Sequence, residues 1–293
     1  MQTKVLVTGG AGRLGSELTK ALSKKGYEVV AFDLPTANFE KLKGLPGIRI
    51  LRGDITKPED LLGAVDGIDT VFHLASILPP MSEVNRDKTM RVNVEGTRNL
   101  LGALSKLGIK VPIIFTSSVC VYGITADEVP PIRIDHPLVV SDNYSESKIK
   151  SEKLIEDSNL PYTILRVTGI YEVGLMELPK ELQFSSDQRV EFIDRRCVIE
   201  ALLSAVGNEK ASYKKFNIAG GRTWQMRGRD FIEQVYSQFG IPVKANYSKK
   251  PGWFDWYDTE DSQAILKYQI VSFQRFLEEL RRLARRLFRD RAL

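Results

Sequence analysis

The sequence predicts an α/β protein, a doubly wound parallel sheet followed by a small, mainly α C-terminal lobe. Three observations carry this reading. Short apolar runs alternate with helical stretches through the first 170 residues, and a glycine-rich turn joins the first run to the first helix. The alternation weakens after Val167, and the tail holding Trp224, Trp253 and Trp256 is composed differently. A chain of 293 residues is long enough for one large α/β unit with an appendage, and its 43% hydrophobic and 27% charged content supports a sizeable core.

Strands are predicted at 4–8, 28–33, 49–52, 70–73, 112–117 and 162–167. Between the first two, Leu14, Leu18, Ala21 and Leu22 recur at i, i+4, i+7 and i+8, which marks a helix with one buried stripe, and Gly26 ends it. The same pattern places helices at 59–65, 85–107 and 143–157. Residues 171–190 mix Gly, Pro and acidic residues and read as a loop with a short helix. A strand at 190–193, a helix at 198–206 and a strand at 215–218 are predicted to return to the sheet. The division is therefore a sheet domain over 1–170, with 190–218 returning to it, and a substrate-binding lobe over 171–189 and 219–293. In the tail, Phe273, Phe276, Leu277, Leu280, Leu283 and Leu287 form a helical stripe with arginines opposite. Packing on the lobe is the favoured role, with a membrane surface or an anionic partner as the alternative.

The formal charge of +5 does not argue for nucleic acid, because the excess sits in Arg281, Arg282, Arg285, Arg286, Arg289 and Arg291. Cys120 and Cys197 are far apart without paired spacing, so neither a disulfide framework nor a zinc site is expected, and the setting reads as reducing and cytoplasmic. His73 and His136 are too isolated for a metal site. No charged-then-apolar leader opens the sequence and no apolar run approaches the length of a membrane span.

Residues 5–15, Val-Leu-Val-Thr-Gly-Gly-Ala-Gly-Arg-Leu-Gly, place the glycine spacing of a dinucleotide site directly after a strand and at the start of a helix. Glycines let the backbone approach a pyrophosphate, and the helix N-terminus offers it free N–H groups and partial positive charge. Gly9, Gly12, Arg13 and Leu14 are thus cofactor-binding candidates. Asp33, 18 residues after Gly15, suits a ribose 2′-hydroxyl and favours NAD over NADP, although Arg13 offers a counter-charge to a 2′-phosphate. Tyr144 and Lys148, four apart on one helix face, pair a phenol with an ammonium that can lower its pKa. They follow a hydroxyl-rich strand end, Thr116-Ser117-Ser118.

These blocks, with Gly53-Asp54-Ile55, His73-Leu74-Ala75-Ser76, residues 92–97, residues 117–123 and Tyr144-Ser145-Glu146-Ser147-Lys148, resemble in order the extended short-chain dehydrogenase/reductases, especially their epimerase/dehydratase branch. The resemblance covers residues 3 to about 170. It implies a Rossmann-type domain in which Asp54 and Ile55 flank the adenine, Leu74, Ala75, Ser76 and Ser117 line the cofactor groove, and Asn93 buttresses the site. It also implies that Ser118, Tyr144 and Lys148 are catalytic. Cys120 stands where relatives carry a substrate-touching threonine, and reads as a small pocket-lining or core residue because nothing adjacent activates it. After the sixth strand the chain reads Arg166-Val167-Thr168-Gly169-Ile170-Tyr171-Glu172, a departure from the family's Arg-Pro and Tyr-Gly-Pro, and only 21 residues separate Tyr171 from Phe192. A full nucleoside diphosphate site is therefore not expected. Arg189, Arg195 and Arg222 are candidates for a phosphate or carboxylate on the substrate.

The resulting expectation is an NAD-dependent enzyme acting on a hydroxyl or carbonyl of a sugar-like small molecule in the epimerase/dehydratase manner. The alternatives are a net dehydrogenase of a sugar acid, sterol-like or other carbonyl compound, and a non-catalytic dinucleotide sensor. A homodimer is expected through the helices at 85–107 and 143–157, because Met90, Val94, Leu101, Leu104 and Leu107 exceed the stripe one sheet face would bury.

Overall fold

The computed structural model describes residues 3–174, 180–240 and 244–289. The apolar runs become β1 (Lys4–Thr8), β2 (Glu28–Asp33), β3 (Ile48–Arg52), β4 (Thr70–His73), β5 (Ile113–Ser118) and β6 (Tyr162–Val167), each within a residue of its predicted bounds. Short pieces β7 (Ile170–Tyr171), β8 (Arg189–Glu191) and β9 (Ile193–Asp194) follow, and then β10 (Lys214–Ile218). Seven of these form one parallel sheet in the order β10-β6-β5-β4-β1-β2-β3. The chain winds outward from β1 to β3, then restarts at β4 in the other direction, so a crevice opens where β1 and β4 part at their carboxyl ends.

Alternate residues of each strand face opposite layers. Val5, Val7, Val29 and Phe72 pack with Leu18 and Leu22 of α1 (Arg13–Lys24), and the same core takes in Val198, Ala201 and Leu202 from a helix at Arg195–Ala205. Leu6, Val30, Val71 and Phe115 face the other way. They meet Leu61 and Val65 of α2 (Pro58–Val65), together with helices that follow β4 and β5.

The single helix expected at 85–107 is interrupted. After α3 (Met81–Val84) come α4 (Arg86–Met90), a π-helical turn at Arg91–Glu95, and α5 (Gly96–Lys106). The wider turn frees the carbonyl of Asn93, which accepts from the hydroxyls of Thr97 at 2.6 Å and Ser151 at 2.9 Å. Part of the apolar surplus behind the expected dimer packs within the chain. α5 packs between α2 and α6 (Asn143–Glu156), which buries Val94 and Leu104, half-buries Met90 and Leu101, and leaves only Leu107 of that set exposed. The outward side carries Glu95, Arg98, Lys150 and Lys153.

The strand expected at 190–193 does not enter the large sheet. β10 occupies the free edge of β6, so β8 instead pairs antiparallel with β11 (Gln225–Arg227), and β9 pairs with β7. Between these pieces runs α7, the Arg195–Ala205 helix already described. The short helix expected within 171–190 does not appear among the described residues.

The C-terminal elements are α8 (Gly228–Ser237), α9 (Glu260–Leu266) and α10 (Phe273–Arg289). Trp224 is fully buried against Phe273 and Phe276 and donates from Nε1 to the Val271 carbonyl at 3.0 Å. Phe273, Phe276, Leu277 and Leu280 of the predicted stripe are buried, Leu283 is half-buried and Leu287 exposed, while Arg281, Arg282, Arg285 and Arg286 stay in solvent. Arg291 lies outside the described residues. No helix among the described residues is long and apolar enough to cross a membrane.

Candidate active site

The turn after β1 admits no side chain at its critical glycines. A Cβ on Gly15 would fall 2.0 Å from the Gly9 carbonyl oxygen, and one on Gly9, whose φ is +71°, would fall 2.9 Å from the Ala75 nitrogen. Backbone packed this closely leaves the first N–H groups of α1 open toward the crevice, the arrangement a pyrophosphate requires. Asp33 ends β2 and accepts from the Ala11 N–H at 3.0 Å through Oδ2 and from the Leu34 N–H at 2.8 Å through Oδ1. A carboxylate has about four acceptor positions, so it retains capacity for a ribose hydroxyl. Asp54 closes its own turn through the Thr56 N–H at 2.9 Å and hydroxyl at 2.8 Å, and Ile55 packs into the core beside it.

His73 ends β4 between two threonines. The Thr97 hydroxyl proton goes to the Asn93 carbonyl, so His73 Nε2 donates to Thr97 at 2.9 Å and Nδ1 accepts from Thr8 at 2.8 Å, an assignment made from the network. Burial, and then the charge of Lys148, push its pKa down to about 3, which makes it a neutral strut.

At α6, Asp142 and Ser145 form a capping box that fixes the first turn. That turn presents Tyr144, and Lys148 lies one turn further on. The Lys148 ammonium donates to the Thr116 carbonyl at 2.8 Å and lies 5.5 Å from the Tyr144 ring centre and 4.8 Å from that of Phe115. Burial lowers the lysine pKa to about 8. The net shift of the Tyr144 phenol is upward. Burial, followed by the neighbouring Cys120 and Asp142, raises the Tyr144 pKa well above its ordinary value, and its hydroxyl has no hydrogen-bond partner among the described residues.

Behind this pair, Asn93 accepts from the Ile77 N–H at 2.7 Å and donates to the Ser147 hydroxyl at 2.9 Å, linking the post-β4 loop to α6. Ser117 donates to the Glu152 carboxylate, which also accepts from Arg166 at 2.8 Å in a fully buried ion pair. Sequence reasoning missed Glu152. Its signal was a carboxylate on the buried face of α6, one turn beyond Lys148, opposite an arginine in an apolar strand.

A cavity of about 1260 Å³ brings most of the predicted residues together. Its lining includes Gly9, Gly12, Arg13, Leu14, Asp33, Asp54, Ile55, Leu74, Ala75 and Ser76 at one end, and Ser117, Ser118, Tyr144, Lys148 and Arg195 toward the other. This volume exceeds the usual range for a single small-molecule pocket and suits a dinucleotide plus a substrate. Asn93 stands behind the wall. Cys120 is wholly buried outside the lining, with its thiol pKa raised by burial. Arg189 binds the buried Asp255 at 2.6 and 2.9 Å and the carbonyls of Ala126 and Glu128, and Arg222 is exposed away from the cavity. These two arginines are therefore not brought to the cavity. The wall they were expected to charge is instead largely apolar, with Leu78, Met81, Val84, Ile170, Trp253 and Phe254 joined by Asn85, Lys88, Arg91 and Gln183. None of these was legible as a site residue, because they come from segments far apart in sequence.

Residues 5–219 match the model of the NAD dependent epimerase/dehydratase family. The 3-beta-hydroxysteroid dehydrogenase of Mycolicibacterium neoaurum is 36% identical over 185 residues, covering 58% of this chain and 48% of the relative. The UDP-glucose 4-epimerase of Azospirillum brasilense is 34% identical over 168 residues, covering 56% and 47%. The chain thus spans about half the length of these curated relatives. Among solved structures, the UDP-glucuronic acid 4-epimerase of Bacillus cereus, in complex with UDP-glucuronic acid and NAD, superposes with a TM-score of 0.83 at 26% identity over 97% of this chain and 100% of that one.

Proposed function

The chain belongs to the NAD dependent epimerase/dehydratase family, and within it we propose an NAD-dependent oxidoreductase acting at a secondary hydroxyl or carbonyl carbon placed beside Tyr144. The observation that carries this reading is that Ser118, Tyr144, Lys148 and the glycine turn line one cavity. The side-chain-free turn at Gly9 and Gly15 fits the pyrophosphate, and Asp33 fits the adenosine ribose. Bound there, NAD supplies a hydride acceptor and NADH a hydride donor. The Ser118 hydroxyl orients the substrate oxygen, and the Tyr144 phenol exchanges the proton with it. Lys148, tied to the Thr116 carbonyl, positions the cofactor's nicotinamide ribose and supplies the adjacent charge.

The apolar wall supports a substrate whose reacting alcohol is carried on an apolar body, turned over with net production of NADH. Of the arginines that line the cavity, Arg13 and Arg195 share the Glu172 carboxylate, while Arg91 and the neighbouring Lys88 make no ion pair among the described residues and are the groups a nucleotide-sugar phosphate would meet in the second reading. Gln183, Trp253 and Phe254 assign part of that wall to the lobe at 171–189 and 219–293. The sugar-directed reading is kept as the second, on the strength of the match along nearly the whole chain to the UDP-glucuronic acid epimerase. Two free, buried thiols fit a reducing compartment such as the cytoplasm.

The test is incubation of the purified protein with NAD and a panel of sterol-like alcohols, uronic acids and nucleotide sugars, following NADH absorbance and product identity. Stoichiometric NADH from an apolar alcohol is expected, whereas isomerised nucleotide sugar without NADH would install the second reading. Tyr144→Phe should lower kcat by about 10²–10⁴-fold and leave NADH affinity within about twofold, since only the exchangeable proton is lost. A variant retaining most of its activity would remove Tyr144 from the chemistry.

A further inference from the structure

Glu172 belongs to no predicted role, yet its carboxylate bridges two guanidinium groups at the cavity. One oxygen accepts from Arg13, the first residue of α1 after the glycine turn, and the other pairs with Arg195, the first residue of α7. All three side chains line the cavity, and the Arg13–Glu172 link joins stretches of lining 159 residues apart. We propose that Glu172 is a strap on cofactor exchange, holding the segment after β6 against the glycine-turn helix and releasing Arg13 each time a dinucleotide enters or leaves. The inference rests on the cofactor reading above.

The two halves of the bridge are unequal, and the inequality gives the strap a fixed end and a free end. β7 and β9 pair with Tyr171 opposite Asp194, and Glu172 and Arg195 are the residues that directly follow this ladder on its two strands. Their side chains are 29% and 27% exposed. Arg13 has no such support and its side chain is 86% exposed. An ion pair this open to water is weak enough to break and re-form at every binding event, as a gate requires and a permanent lock does not. Because the same link closes before and after binding, its loss accelerates entry and exit together and leaves the equilibrium nearly unchanged.

Stopped-flow fluorescence of NADH binding, with displacement by excess NAD for the off-rate, tests this on the full chain. Glu172→Gln, nearly isosteric and only partly buried, should raise the association and dissociation rates by about three- to tenfold each, with Kd shifted less than about threefold. Arg13→Gln should raise the off-rate similarly, and the double variant should be no faster than the faster single variant, since both break one link. An off-rate within about twofold of wild type in Glu172→Gln would overturn the strap while leaving the cofactor reading intact. So would additive effects in the double variant, or a markedly tighter Kd, which would make Glu172 a competitor of the pyrophosphate. Wild-type protein that binds no NADH would overturn the cofactor reading and the strap together.

Discussion

The cofactor end of the cavity draws on residues 9–15, 33–34, 53–56 and 74–76, each stretch at the carboxyl end of a neighbouring strand. The substrate end draws on 78–88, 170–172, 183, 195 and 253–254, of which only the β7 and β9 stretches share a short ladder, Ile170 with Ile193 and Tyr171 with Asp194. At the first end, short-range chemistry does the positioning, with a glycine turn, a strand-end carboxylate and a helix N-terminus each in its local place. At the second, long-range ion pairs and hydrogen bonds do it. Arg189 clamps Asp255 beside the 253–254 wall. Buried Glu191 gathers the Gly221 N–H at 2.8 Å, the Tyr257 N–H at 2.9 Å and the Gln225 amide at 3.0 Å. Separately built ends predict that one can be damaged without the other.

The largest effect tests the substrate end. Asp255→Ala leaves Arg189 without its carboxylate partner and should cost about 3–5 kcal/mol of stability, measured by urea unfolding, while NADH affinity of the folded protein stays within about twofold. A proportionate loss of NADH affinity would show that the two ends are coupled and would break the comparison. The reciprocal test is Gly15→Ala. Its methyl cannot coexist with the Gly9 carbonyl, so NADH should bind on the order of a hundredfold more weakly by calorimetric titration.

The next effect separates the ends by pH. His73, which supports the cofactor end, has a folded pKa of about 3 against an ordinary 6.5, so between these values the unfolded chain binds more protons. Its contribution to stability is complete above pH 6.5 and is lost as pH falls toward 3, with a slope of up to about 1.4 kcal/mol per pH unit. His73→Gln should flatten that part of the stability–pH curve. The smallest effect is expected for Asp33→Asn, which removes a charge facing the ribose. It should raise NADP affinity relative to NAD by about fivefold, in keeping with a single carboxylate reading the 2′ position, and an unchanged ratio would leave discrimination to some other residue.

What the sequence determined by itself is whatever depends on neighbours a few residues apart. The short apolar runs placed β1 to β6 within a residue, and glycine spacing, Asp33 and the four-residue step from Tyr144 to Lys148 picked out residues that line one cavity. Only the tertiary structure decided the rest. The π turn at Arg91–Glu95 is stabilised by hydroxyls from Thr97 and Ser151 that take the carbonyl it frees, and Val94 and Leu104 of the expected dimer set are buried within the chain. Strand 190–193 was turned away because β10 had already filled the edge of β6. Arg189 and Glu172 acquired their roles from partners 66 and 159 residues distant. Burial by the whole fold raises the Tyr144 phenol pKa, which no four-residue spacing records. Local patterns fix dihedral angles and the faces of elements, whereas the partners of a charge and the desolvation of a phenol depend on which distant segments close over them.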